Sequence, residues 1–145
     1  DVHHGNGTEA IFRDEPRVML CSTFQHPFYP FSGADSGSDH IVNVPLPAGT
    51  TGAAYREAFA ARIRPRLEAF RPQCVFCSAG FDGHRDDDMA QFALVEADYA
   101  WITLQVMDVA ARHASGRIVS VLEGGYDPGS LGRSVAVHIG ALATA

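Results

Sequence analysis

Apolar positions along this chain follow two different periods. "RVMLCST", "HIVNVPL", "CVFCSAG" and "RIVSVLEGG" are short apolar runs bounded by turn residues, which predicts strands. "TTGAAYREAFAARIRPRLEAF" instead spaces Tyr55, Phe59, Ile63, Leu67 and Phe70 along one side of a helix, and Pro65 inside it predicts a kink or break. A long helix is predicted from about Phe92 to His113, and "GSLGRSVAVHIGALA" closes the chain as another. Near the start, "TEAIFRDE" is short and compatible with a helix.

Helix and strand alternate through the later half. Strands that read as apolar runs fit an α/β fold, a parallel sheet with helices on both faces. In such sheets ligands bind beyond the carboxyl ends of the strands. The polar clusters lie there: "FDGHRDD" follows one strand and "EGGYD" follows another. The opening "DVHHGNGT" has the character of a third strand end. The connection "FQHPFYPFSGADSGSDH" is long and brings Phe28, Tyr29 and Phe31 close together, as functional loops often do.

Composition narrows the classes. At 145 residues the chain has the size of one domain, with 46% apolar and 19% charged residues, ordinary for a globular protein. A net charge of −6 argues against a nucleic-acid surface, which needs a basic footprint. No apolar run approaches the ~20 residues of a membrane span. Three cysteines do not suggest a disulfide framework, so a cytoplasmic setting is expected. Cys74 and Cys77 fall in a run expected to be a buried strand. Three apart on a strand, they face opposite ways and are expected to be core thiols rather than a metal pair.

The strand ends carry the candidate chemistry. Asp1 and His3, two apart on an extended segment, point the same way and offer half of a metal site. Asp82, just past a strand, is a third candidate ligand. Two carboxylates and one imidazole leave positions open, the mark of a catalytic site. A metal there would polarise a carbonyl and lower the pKa of a bound water toward ~7. Tyr126 follows Gly124 and Gly125 at another strand end, where glycines admit close backbone approach and a phenol can donate to a developing oxyanion.

Taken in order, "DVHHGNGT", "SAGFDGHRDD" and "LEGGYD" resemble the zinc-dependent histone deacetylase family, above all its class II-like members, bacterial deacetylases and acetylpolyamine amidohydrolases. The resemblance implies an arginase/deacetylase-like fold, incomplete at its N-terminal side, with residues 1–145 the C-terminal part of a single deacetylase domain. It implies Asp1, His3 and Asp82 as zinc ligands and Tyr126 as the hydroxyl that steadies the tetrahedral intermediate. Tyr29 matches an aromatic wall of the acetyl-lysine tunnel, and Gly124 and Gly125 the glycines lining it. Asn6 matches the position that holds the second catalytic histidine, where some members carry aspartate. Ser22, with backbone near Asp1 and His3, resembles a monovalent-cation site, usually potassium. His4 and His84 are expected to hydrogen-bond rather than ligate. The implied partner is an acetyl-lysine protein or an acetylated small amine, and the implied source is bacterial.

One departure stands out. The family uses an adjacent histidine pair upstream of the Asp-x-His motif as general base and acid, and this chain opens at that aspartate. Asp1 is therefore expected to be mid-protein, and the chain alone is expected to associate and to lack activity. Three other readings bear on the same residues. An arginase-like two-metal enzyme needs a carboxylate where Gly5 stands. A non-catalytic remnant would bind metal or partners through the same fold. A purely structural account would make these residues helix caps and solvated loops, and must explain why Asp1, His3, Asp82 and Tyr126 all sit at strand ends with an aromatic loop between.

Overall fold

The structure is a computed structural model that describes residues 1–144. Its elements run α1 (Asn6–Phe12), β1 (Leu20–Gln25), β2 (Ile41–Leu46), α2 (Gly52–Ala58), a π-helical turn (Phe59–Ile63), α3 (Arg64–Phe70), β3 (Val75–Ala79), α4 (Glu96–His113), β4 (Ile118–Leu122) and α5 (Pro128–Leu142). Both strand pairings are parallel: β1 with β2, where Ser22 faces Asn43, and β3 with β4, where Cys77 faces Ser120. The α/β class read from the sequence is the class observed. The pairing forms two two-stranded sheets among the described residues.

The segment Asp1–His3 lies between those two sheets. The Gln25 N–H at the end of β1 donates to the Val2 carbonyl at 2.9 Å. On its other side the Asp1 nitrogen is 3.3 Å from the Gly80 carbonyl oxygen, just past β3. Gly80 must be glycine here, since a Cβ would fall 2.3 Å from Asp1 Cα. Val2 between them is buried. Three residues thus bridge the carboxyl ends of two strands from different sheets.

Helices cover both faces of the first sheet. Val42 and Val44 pack in one cluster with Tyr55, Phe59 and Ile63 from α2 and the π turn, and the Tyr55 hydroxyl bonds Thr23 Oγ1 at 2.6 Å. On the opposite face Asn43 reaches Glu9 of α1, with Nδ2 donating to Oε2 at 2.8 Å. The predicted interruption at Pro65 takes the form of the π turn, after which Pro65 occupies the first turn of α3, where its missing N–H costs nothing. α3 stops at Arg71, whose φ of +55° is left-handed.

Three expectations need correction. The long helix begins at Glu96, not near Phe92. Residues just before it are extended because their backbone groups are claimed elsewhere. The Ala93 N–H donates to Thr50, the Leu94 N–H to Gly83, and the Leu94 carbonyl accepts from Arg85. α4 then starts where the Asp98 carboxylate accepts the Val95 N–H at 3.0 Å. Second, β3 is not buried on both faces. α5 lies over the side of Cys77 and Ser120, where His138 Nε2 meets Ser120 Oγ at 2.8 Å. The other side is open, with Phe76 75% and Val121 51% exposed. Third, Cys74 is exposed rather than a core thiol, because β3 starts one residue later. Cys77 is half-buried and Cys21 likewise, and burial pushes the Cys21 thiol up to about 12. No described helix is long and apolar enough to cross a membrane.

Candidate metal centre

Asp1, His3 and Asp82 converge at the seam between the sheets, each offering one ligand atom, all within 4.8 Å of one another. His3 Nδ1 lies 2.9 Å from Asp1 Oδ1 and 3.0 Å from Asp82 Oδ2. The backbone dictates this. The His3 N–H donates to Asp1 Oδ1 at 2.7 Å, folding the aspartate over its neighbour. The Val2 N–H donates to Asp82 Oδ1 at 2.8 Å, drawing in the residue that follows β3. Asp1 Oδ2 accepts the Gly124 N–H at 3.0 Å, so the loop after β4 also converges on the point.

The atoms fit a divalent cation. Asp82 is fully buried, and its Oδ2 has no aligned hydrogen-bond donor. A buried carboxylate oxygen without a donor is costly, and a metal ion relieves that cost. Two carboxylates and one imidazole, with Asp1 and His3 partly exposed, match an open zinc-type site. The His3 ring is fixed by stacking on Phe28, with centroids 5.4 Å apart at 22°. Tyr29 stands edge-on to the same ring at 6.2 Å and is itself largely exposed, so it forms part of the rim.

Glycines allow the approach of the third strand end. A Cβ at Gly124 would fall 2.3 Å from Asp82 Oδ2, and Gly125 adopts φ +147°. Tyr126 follows them, 55% exposed, two residues beyond the N–H that binds Asp1. Ser22 sits half-buried on β1, three residues before the strand reaches Val2. Asn6 opens α1 and lines a separate cavity of about 320 Å³ with His4, Glu9, Arg13 and His26. The structure therefore gathers Asp1, His3, Asp82, Gly124 and Tyr29 around one point, places Tyr126 and Ser22 on the flanking elements, and sets Asn6 on another cavity.

His4 and His84 hydrogen-bond, as expected. The buried His4 ring spans Ser32 Oγ at 2.8 Å and Glu9 Oε2 at 2.6 Å. The buried His84 ring accepts the Asp86 N–H at 3.0 Å and stacks on Tyr99. Sequence reasoning missed Glu9 and Asp87. Both are buried carboxylates: Glu9 holds His4 and Asn43 together, and Asp87 takes the N–H groups of Met89, Tyr126 and Asp127. Asp87 sits inside the run "DDD", where composition gives no sign that the middle residue turns inward while its neighbours stay exposed.

Comparison with known proteins accords with this geometry. The family model described as histone deacetylase domain matches residues 1–142. Type-2 histone deacetylase 2 of Dictyostelium discoideum is 40% identical over 98% of this chain, which covers 9% of that protein. Histone deacetylase-like amidohydrolase of Pseudomonas aeruginosa is 41% identical over 87% of this chain, covering 35% of that protein. Among solved structures, the HDA15 HD domain superposes with a TM-score of 0.90 at 35% identity, over 98% of this chain and 42% of that one. The chain thus spans less than half the length of each. With the family model matched along nearly its whole length, the chain belongs to the histone deacetylase family.

Proposed function

We propose that this chain carries the metal-binding half of a zinc-dependent amidohydrolase that removes acetyl groups from an acylated amine. The observation that carries the reading is the fully buried Asp82 Oδ2, without an aligned donor and 3.0 Å from His3 Nδ1. Asp1, His3 and Asp82 would hold the ion. When bound, zinc supplies Lewis acidity toward the acyl carbonyl and acidifies a water.

The chain's own residues do the rest. Asp1 is oriented at both oxygens, by the N–H groups of His3 and Gly124, so it presents a fixed face. The stack of His3 on Phe28 keeps Nδ1 directed at the two carboxylates. The Tyr126 hydroxyl donates to the oxyanion as charge develops on the acyl oxygen. Phe28 and Tyr29, both against the His3 ring, offer a rim for a thin aliphatic chain, either an acetyl-lysine side chain in a protein or an acetylated polyamine. Ser22, with backbone near Asp1 and His3, is the proposed place of a potassium ion. A cytoplasmic setting accords with three free cysteines.

Proton transfer needs a general base and acid, each worth about 10²–10⁴-fold in rate. The adjacent pair His3–His4 does not supply them, because His3 faces the carboxylates and His4 is locked between Ser32 and Glu9. The 145-residue chain by itself is therefore expected to show little or no turnover. The test is hydrolysis of an acetyl-lysine peptide and of an acetylated polyamine by the full-length protein. Activity abolished by a zinc chelator and restored by zinc supports the proposal. A folded, zinc-loaded protein that hydrolyses neither refutes it.

A further inference from the structure

The Tyr126 side chain makes no hydrogen bond among the described residues and is 55% exposed, so its placement depends on the backbone. Two carboxylates hold that backbone. Asp1 Oδ2 binds the Gly124 N–H, and on the far side of Gly125 the Asp87 carboxylate takes over. Asp87 Oδ2 accepts the Tyr126 N–H at 2.6 Å and the Asp127 N–H at 3.1 Å, while its Oδ1 accepts the Met89 N–H at 3.0 Å. Asp87 is 3% exposed, and three N–H donors satisfy its charge.

The segment from Asp82 to Asp87 is internally braced. The His84 N–H donates to Phe81, the Asp87 N–H to His84, and the Asp86 N–H to the His84 ring. One short loop thus carries a candidate metal ligand at one end and the anchor of the Tyr126 backbone at the other. We propose that Asp87 is a positioning residue that sets the reach of the Tyr126 hydroxyl relative to the metal. The proposal rests on the reading of Tyr126 as the oxyanion donor. Asp87 itself touches no reacting atom. It acts by denying the Gly125 hinge, at φ +147°, the freedom to swing the tyrosine away.

The experiment is a double-mutant cycle of Asp87→Asn and Tyr126→Phe in the full-length, zinc-loaded protein, read as kcat and KM on an acetyl-lysine peptide, with zinc affinity and melting temperature measured in parallel. Asparagine keeps the shape but turns a donor group toward backbone N–H groups. The expected result is a kcat lower by roughly 10–100-fold with KM within about twofold, since small misplacements of a reacting group cost this much. Added to Tyr126→Phe, Asp87→Asn should cost nothing more, because the hydroxyl it positions is already gone. Equal losses in both backgrounds, or weakened zinc binding, would show a general structural role and overturn the proposal. So would unchanged kcat in Asp87→Asn beside a large loss in Tyr126→Phe, which leaves the Tyr126 reading intact. Unchanged kcat in Tyr126→Phe overturns that reading and this proposal with it. Should Asp87→Asn not fold, Asp87→Glu, which keeps the charge on a longer arm, takes its place in the same cycle.

Discussion

A methyl group at position 124 would lie 2.3 Å from Asp82 Oδ2 and 2.7 Å from Asp1 Oδ2. Neither oxygen can yield without moving a candidate ligand. Gly124→Ala is therefore expected to weaken zinc binding by roughly 10–100-fold, the usual cost of disturbing ligand support. Competition with a chromophoric chelator measures this, with Gly132→Ala as the control, since nothing lies within 4 Å of a Cβ there. At this scale the sequence was informative where residue type and strand position coincide. Asp1 and His3, two apart, and Asp82, just past β3, were legible because extended backbone fixes where side chains point. Asp87 was not, because its role depends on which of three adjacent aspartates turns inward. That choice is made by the His84 ring and the N–H groups of a loop some 40 residues away in sequence.

Between elements, the loop Asp82–Asp87 is clamped to the two long helices through Arg133. This guanidinium of α5 pairs with Glu96 at the start of α4 and with Asp86 at 2.8 Å. The Arg133 hydrogen bond holds the Glu96 carboxyl down to about 2, well below its usual value of 4.5. A carboxylate whose pKa is depressed by folding stabilises the native state above its unfolded pKa, and that contribution fades as pH falls from about 4.5 to about 2. The pair is exposed and salt screens it, so the effect is modest. Melting temperature should fall less steeply between pH 5 and ~2 in Glu96→Gln than in the parent protein, and the difference should shrink in high salt. A slope identical in both would contradict the assignment. α5 is also capped by Asp127, whose Oδ2 accepts the Ser130 N–H at 2.6 Å. Asp127→Ala should lower the melting temperature by about 2–4 °C, the size of a lost cap. Periodicity located α5 and the break at Pro65 well. It misplaced the start of α4, because Phe92–Val95 is apolar enough to extend the helix while its backbone bonds are taken by Thr50, Gly83 and Arg85.

At the scale of the whole molecule, one face of the β3–β4 sheet has no helix over it among the described residues. Phe76, Val119 and Val121 line it, between 44% and 75% exposed. Contiguous apolar surface of this kind drives association. The 145-residue chain on its own should sediment as more than a monomer, and Phe76→Ser with Val121→Thr should shift it toward monomer. A clean monomer in the unsubstituted chain would refute this. The parallel α/β class was legible from apolar strand runs, but their pairing into two sheets was not, because adjacency is decided by the register of backbone bonds rather than by composition. The same arrangement gives the metal centre a mechanical character. His3 arrives on a segment bonded to β1, whereas Asp82 follows β3, so the bite of the site spans two separate sheets joined by a shared hydrophobic core. Any breathing of one sheet against the other stretches that bite. A cobalt ion placed there would then act as a strain gauge, its absorption band tracking how far the two halves part under heat, pressure or denaturant before the fold gives way.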